Sequence, residues 1–296
     1  MTSGPTFTIG SALFDAPQLQ AGLYVVATPI GNLRDITLRA LETLAACQVI
    51  ACEDTRTSAV LLGRYGIATD KVSYTEHNAD HRGAQLLKRI GNGDAVALIS
   101  DAGMPVISDP GARLVQQAID AGLPVTVLPG ASAPVTALVA SGLAGGGFSF
   151  HGFLPTKKGA RRTILEGLKA RMQEDHADMM FESPSRLLST LDMASEIFGG
   201  QHRAVVAREL TKMHETLHRG TLDNLIAEFQ AMDRIRGEIV LLLEGKSFAE
   251  IQDPDALLRE ALQQEKPGAA ASRVAALTGL SRQNLYKRAL ALKDAP

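Results

Sequence analysis

Short apolar runs alternate with amphipathic stretches along most of this chain, and the alternation predicts its elements. Between residues 22 and 130, GLYVVAT (22–28), CQVIACE (47–53), KVSYT (71–75), AVALIS (95–100) and PVTVLPG (124–130) have the length and Val/Ile content of buried strands. Between them LRALETLAA, SAVLLGRYG, GAQLLKRIGNG and ARLVQQAIDAG carry helical periodicity, and the last three close on glycine, where a C-cap is expected. Strands alternating with helices predict a mostly parallel sheet covered on both faces. A glycine-rich turn, GLAGGGFSFHGFLP (142–155), marks a boundary. Beyond it come a basic helix (157–173), strand ADMMFES, helix SRLLSTLDMASEIFG, strands RAVVARE and ETLHRGT, helix LDNLIAEFQ and strand GEIVLLLEG. The adjacent strands around 203–219 are expected to be antiparallel. The fold class is therefore α/β, in two units with a small helical tail. The expected boundaries are a disordered extension at 1–20, an N-terminal α/β unit at 21–143, a C-terminal one at 144–246 and a basic, helix-turn-helix-like tail at 247–296.

Composition narrows the picture. A chain of 296 residues is long enough for two cores. Its net charge of -2 means that nucleic-acid affinity must come from local patches. Cys47 and Cys52 form no CxxC pair and read as buried, reduced thiols. The first basic residue is Arg34, unlike the charged start of a signal peptide, and no apolar run approaches the roughly 20 residues of a membrane span. A cytoplasmic protein without membrane association is expected.

The chemistry is expected in the loops beyond the carboxyl ends of the strands, where such sheets bind ligands. ALISDAGMPVISDPGARLV (97–115) places Gly103, Pro105, Pro110 and Gly111 where no regular element can use them together, so a shaped loop runs from a buried strand into a new helix. TPIGNLRDIT (28–37) occupies the place of a dinucleotide fingerprint, but Pro29 and Ile30 break the G-x-G-x-x-G pattern. Asp35 or Thr37 is placed to cap the next helix. GKS at 245–247 is no P-loop, because Val240 stands where glycine is needed. CEDTRTS, TEHN, PGASAP, FESPSR and ARELTKMHE gather further polar groups at strand ends. His77, His151 and His214 are scattered, so no metal site is expected, and no G-x-S-x-G elbow supports a serine hydrolase.

In order, TPIGNLRDIT, EDTR, SDAGMPVISDPG, PGASA, GFLP, ARELTK and GEIVLLLEG resemble the motifs of the tetrapyrrole methylase superfamily, the class III S-adenosylmethionine-dependent methyltransferases. Within it the chain is most similar to the small-subunit ribosomal RNA cytidine 2′-O-methyltransferases of the decoding centre, over about 22–290. One departure stands out: the family usually carries His-Arg where this chain has Ser185-Arg186. The resemblance implies S-adenosylmethionine as cofactor, bound in a cleft between the two units, small-subunit ribosomal RNA as partner, and a homodimer.

Carried onto this sequence, the resemblance implies that Pro29, Ile30, Asp101, Ala102, Gly103, Met104 and Pro105 form the first unit's side of the cofactor site. Ser132 and Ala133 would wall the adenosyl group, with Phe181, Leu210, Gly237, Glu238 and Ile239 opposite. Asp101 is placed either to bond ligand hydroxyl or amino groups or to brace its loop. Transfer to a 2′-hydroxyl asks for proton removal, for which Glu53, Asp54, His77, Glu182 and Glu209 are candidates. Arg56, Arg186, Arg208 and Lys212 are candidates for RNA phosphate or the developing alkoxide. RNA docking is expected from the basic helix (Lys157, Lys158, Arg161, Arg162) and the tail (Arg282, Lys287, Arg288). If Ser281 caps the last helix, about 100° per residue puts Leu285, Tyr286, Ala289, Leu290 and Leu292 on one broad side and Gln283, Asn284, Lys287 and Arg288 on the other. Two other readings remain: a methyltransferase of the same fold acting on a tetrapyrrole or a protein side chain, and a non-catalytic nucleic-acid-binding regulator.

Overall fold

The structure, a computed structural model, describes residues 4–106, 111–143, 146–173, 175–245, 254–278 and 281–293. It begins with a hairpin. Strands β1 (Thr6–Ile9) and β2 (Ala12–Asp15) pair antiparallel, where the sequence reading expected a disordered extension. Phe7 anchors the pair: it stacks on Phe14 and is buried in the first unit's core, while Thr8 N–H donates to the Tyr65 carbonyl. With few turn-to-turn apolar repeats, only tertiary burial could have announced this element.

The first sheet has the order β5-β4-β6-β3-β7, with every pairing parallel. Its members are β3 (Gly22–Val26), β4 (Val49–Cys52), β5 (Lys71–Ser73), β6 (Ala95–Ile99) and β7 (Val125–Leu128). They alternate with α1 (Leu38–Ala46), α2 (Thr55–Arg64), α3 (Ala79–Gly91) and α4 (Ala112–Asp120). Thr37 caps α1, accepting the Ala40 N–H, and Asp54 caps α2, accepting the Arg56 N–H. The strands alternate as a sheet buried on both faces must. Val26 joins Leu41, Leu44 and Leu62 on one side, while Leu23 and Val25 join Leu86, Ile90 and Leu114 on the other. Both cysteines are free and buried, and burial pushes the Cys47 thiol up to about 12.

Helix α5 (Ala133–Ser141), which the sequence pattern did not distinguish from its loop, leads into the second unit. Its Ala137 packs against Met179, Val205 and Leu242 of the second sheet, although its residues fall within the range expected for the first unit. That sheet has the order β11-β10-β12-β9-β8: β8 (Gly147–Phe153), β9 (His176–Glu182), β10 (Arg203–Arg208), β11 (Thr216–Thr221) and β12 (Ile239–Glu244). Only β8 and β9 run parallel, and β10 and β11 form the expected antiparallel pair. Strand β8 occupies half of what reads as a glycine-rich turn; an irregularity between Phe150 and Phe153, with Gly152 at φ +64°, lets the glycines sit in it. Helices α6 (Lys158–Arg171), α7 (Leu187–Phe198) and α8 (Leu222–Gln230) cover the outer face around Leu165, Leu191 and Phe229. The tail folds as α9 (Pro254–Leu262), α10 (Pro267–Thr278) and α11 (Arg282–Lys293) around Leu258, Ala271, Val274, Leu285 and Ala289. Among the described residues no helix is long and apolar enough to cross a membrane.

Candidate active site

Between the two sheets lies a cleft of about 400 Å³, within the roughly 300–1,000 Å³ usual for small-molecule sites. The first unit's wall is the loop after β6. Ser100 Oγ donates to the Gly103 carbonyl at 2.9 Å, and Thr28 and Gly103 exchange backbone hydrogen bonds of 2.9 and 3.0 Å. Gly103 stands at φ +83°, and a Cβ there would lie 3.2 Å from Ile30 Cγ2. The turn thus folds back on the TPIGN loop, leaving Asp101, Ala102, Gly103, Met104 and Ile30 facing the cleft. Residues 107–110 of the same motif lie outside the described residues.

The opposite wall is a row across the second sheet. Phe181 on β9 pairs with Val240 on β12, which pairs with Ala207 on β10, and all three line the cleft. Two corners frame them. At the first, the buried Glu182 carboxylate accepts the Ser183 N–H at 2.7 Å, the Thr190 hydroxyl at 2.6 Å and the Arg186 guanidinium at 2.8 Å. Arg186 also donates to Ser183 Oγ and to the Leu154 carbonyl. At the second, Glu209 and Thr211 hold positive φ, +52° and +65°, which costs non-glycine residues energy unless the surroundings enforce it. Those surroundings are specific: Glu209 Oε1 accepts from Lys212 Nζ at 2.8 Å and from the Glu238 N–H at 2.9 Å, and Thr211 Oγ1 accepts the Asn32 N–H at 3.1 Å. A Cβ on Gly31 would lie 2.5 Å from Lys212 Cγ, and one on Gly237 2.4 Å from Glu209 Cγ. Gly31 thus lets the first unit's loop approach the second, and Gly237 makes room for the Glu209 side chain within the second unit.

Of the residues named from sequence for the cofactor, Pro29 and Pro105 are buried without lining the cleft. Ile30, Asp101, Ala102, Gly103, Met104, Ser132, Ala133, Phe181, Leu210, Gly237, Glu238 and Ile239 do line it. Phe153, Pro134, Ser183, Pro184, Ala207 and Val240 line it too and escaped the sequence reading. For Ala207 and Val240 the signal is the register that sets them beside Phe181, and it is not written in any one strand.

The chemical candidates separate. Arg186 and Glu182 are committed to each other, and Glu209 to Lys212. The Lys212 ammonium and the Glu238 N–H hold the Glu209 carboxyl below its ordinary range. Burial opposes the charge on Lys212, but the Glu209 and Glu238 carboxylates lift it overall. Asp54 caps α2 and binds Arg56 through both oxygens, and the Arg56 side chain pulls its carboxyl down to about 2. Glu53, its neighbour, is raised, first by partial burial and then by Asp101, Asp54 and Glu76. His77 is exposed and does not line the cleft, and Arg208 donates to Thr216 Oγ1. Among the described residues no group of His, Cys, Asp and Glu is arranged to hold a metal ion.

The basic residues separate as well. Lys157 and Lys158 are exposed at the start of α6, but Arg161 is only 2% exposed and turns inward to Ser189. It cannot meet RNA, which corrects the sequence reading: the helix buries this position with Leu165 and Leu168. Arg162 is paired with Glu196. In the tail Arg282 donates to Ser272 Oγ, Arg288 lies 3.5 Å from Asp255, and Lys287 is exposed. Leu285 and Ala289 are buried in α11, but Tyr286 and Leu290 are 43% and 39% exposed, so the packed side is narrower than the sequence predicts.

Residues 22–226 match the family described as Tetrapyrrole (Corrin/Porphyrin) Methylases, and residues 249–293 match the RsmI C-terminal HTH domain. A protein of Mesorhizobium japonicum named ribosomal RNA small subunit methyltransferase I is 49% identical over 289 residues, 97% of each chain. Its namesake in Haemophilus influenzae is 45% identical over 276 residues, 91% of this chain and 96% of the relative. Among solved structures, the methyltransferase CobJ superposes with a TM-score of 0.57 at 20% identity, over 76% of this chain and 94% of that one. Cobalt precorrin-4 methyltransferase does so with 0.56 at 16% identity, over 75% and 94%. These two likenesses concern the fold.

Proposed function

Because the chain belongs to the tetrapyrrole (corrin/porphyrin) methylase family, we propose that it methylates small-subunit ribosomal RNA from S-adenosylmethionine, at the ribose O2′ of a cytidine in the decoding centre. The observation that carries the reading is the extent of the likeness: relatives named for ribosomal RNA match through both α/β units and the tail. A tetrapyrrole substrate is the less supported alternative, and a non-catalytic regulator does not fit a methyltransferase family.

The lining suits the cofactor. It has no Lys, Arg or His, so a phosphate-bearing nucleotide is disfavoured; Glu182 and Glu238 are ion-paired with Arg186 and Lys212, which leaves Asp101 as the lining carboxylate that can favour a sulfonium cation. Bound there, S-adenosylmethionine supplies an electrophilic methyl group on positively charged sulfur. Ile30, Phe181, Leu210 and Ile239 exclude water from it, and fixing donor and acceptor in line removes much of the entropic barrier. Glu182 and Glu209 are held by Arg186 and Lys212, which argues against either as the base for the 2′-hydroxyl proton. Glu53, outside the cleft lining, is raised by partial burial and its neighbouring carboxylates. A cytoplasmic location and a homodimer are part of this reading; for the dimer, exposed Val139 on α5 and Phe148 on β8 offer apolar surface.

The test uses purified protein, isotopically labelled S-adenosylmethionine and small subunits from a strain lacking the gene. Label is expected in a ribose-methylated nucleoside whose released base is unmodified. A labelled base, or label only in a tetrapyrrole or a protein, overturns the proposal.

A further inference from the structure

The irregular loop of residues 231–238, between α8 and β12, forms one side of a second groove, of about 630 Å³. Ser185, Gln230, Arg234 and Arg236 line it. Pro184 and Gly237 belong both to this groove and to the cofactor cleft, so the two hollows meet along one ridge. Charge divides them. No Lys or Arg lines the cleft, whose Glu182 and Glu238 are ion-paired with Arg186 and Lys212, whereas the groove is lined by two guanidiniums against the single carboxylate of Asp233.

These two arginines differ from the others near the site. Arg56, Arg162 and Arg186 are each paired with a carboxylate. Arg234 and Arg236 are exposed, and among the described residues neither makes an ion pair or a hydrogen bond. Guanidinium groups without an ion pair or hydrogen bond among the described residues, in one groove with half-buried Leu188, Met232 and Ile235, present what a single nucleic-acid strand needs: donors for phosphate and an apolar surface for sugar or base. The ridge is also stiff, because Arg186 ties Ser183 to Glu182 and to the Leu154 carbonyl. A strand lying in the groove would therefore meet the cleft at a fixed distance.

We propose that this groove is the acceptor site. Arg234 and Arg236 hold phosphates of a single-stranded RNA segment beside the nucleotide whose ribose enters the cleft, and Ser185 faces that strand, not the methyl donor. The proposal rests on the RNA-methyltransferase reading and adds where the RNA lies.

Three full-length proteins test it: wild type, Arg234→Ala/Arg236→Ala and Arg234→Lys/Arg236→Lys. Each is assayed for S-adenosylmethionine affinity by calorimetry, for small-subunit affinity across a salt series, and for steady-state methylation. The alanine pair should keep its S-adenosylmethionine affinity and its kcat at saturating subunit, while KM for the subunit rises roughly tenfold or more. Its log–log salt slope should flatten by about 1–2, since each phosphate contact contributes roughly 0.7–0.9. The lysine pair should keep most of the slope. An alanine pair with wild-type slope and KM overturns the groove and leaves the parent reading standing, as does a lysine pair as impaired as the alanine pair, which would mark a packing role. A wild-type protein that neither binds nor methylates ribosomal RNA overturns both.

Discussion

Gly103 holds φ at +83° with Ile30 Cγ2 only 3.2 Å from where a Cβ would stand, and both residues face the cleft. A valine there meets backbone strain of about 1–3 kcal/mol and thrusts a branched side chain into cofactor space. Gly103→Val is therefore expected to fold cooperatively yet show no measurable S-adenosylmethionine binding by calorimetry; retained affinity would remove the turn from the site. Glu209 makes a different kind of prediction. Its carboxyl lies below the ordinary range in the folded protein, so its stabilisation is complete well above the unfolded value of about 4.3 and is lost as pH falls through the lower folded value. Glu209→Gln should cost about 1–2 kcal/mol at pH 7, and the gap in thermal midpoint from wild type should close toward pH 3. A gap that persists in acid would mean that shape, not charge, holds the corner. The strand-end loops were legible as a site because glycine, proline and acid cluster there. Their commitments were not: nothing in FESPSR says that Glu182 is occupied by Arg186 and Thr190, since those bonds depend on a helix returning to the strand it leaves.

At the scale of elements, periodicity worked wherever an element buries one face by itself. The five strands and four helices between residues 22 and 128 stand within a few residues of their expected places, and α8 spans the residues LDNLIAEFQ as expected. It failed where burial comes from elsewhere. Helix α5 is apolar nearly all round, so no period shows. Strand β8 hides Phe148 and Phe150 among glycines, one of which, Gly147, would bring a Cβ to 2.9 Å from His176 Nδ1. The N-terminal hairpin is the clearest case. It exposes Leu13 and Phe14, yet buries Phe7 against the α1–α2 side of the first sheet. Phe7→Ala removes a ring that is 3% exposed and should cost about 3 kcal/mol or more, measured by urea unfolding. A loss under 1 kcal/mol would show that the hairpin rests on the core without contributing to it. No hairpin residue lines the cleft, so S-adenosylmethionine affinity of the folded fraction should not change.

At the scale of the whole molecule the chain divides its work by charge. Every residue lining the cleft lies between Ile30 and Val240, whereas the tail has a separate core and, from Lys266 to Lys293, six basic residues and no acidic one. The structure trims the expected basic face of α11. Arg288 is shared with Asp255 and Arg282 with Ser272, so Lys287 is the cation most at liberty. Exposed Tyr286 and Leu290 add apolar surface beside it, a mixture suited to a folded RNA more than to bare phosphate. A chain ending at residue 250 should therefore bind S-adenosylmethionine with wild-type affinity but lose most of its affinity for the small subunit. Because each phosphate contact releases counterions, its log–log salt slope should also be shallower. Replacing Arg282, Lys287 and Arg288 by alanine should act in the same direction more mildly, with Lys287 contributing most. Both losses should flatten the salt slope, so steady-state kinetics separates this role from that of the Arg234–Arg236 groove: loss of the tail should weaken docking of the subunit as a whole, while loss of the groove should raise KM for an acceptor that still docks through the tail. Should both tail variants methylate subunits at wild-type efficiency, the three helices are a packing module, and the RNA is held by the groove and by Lys157 and Lys158 alone.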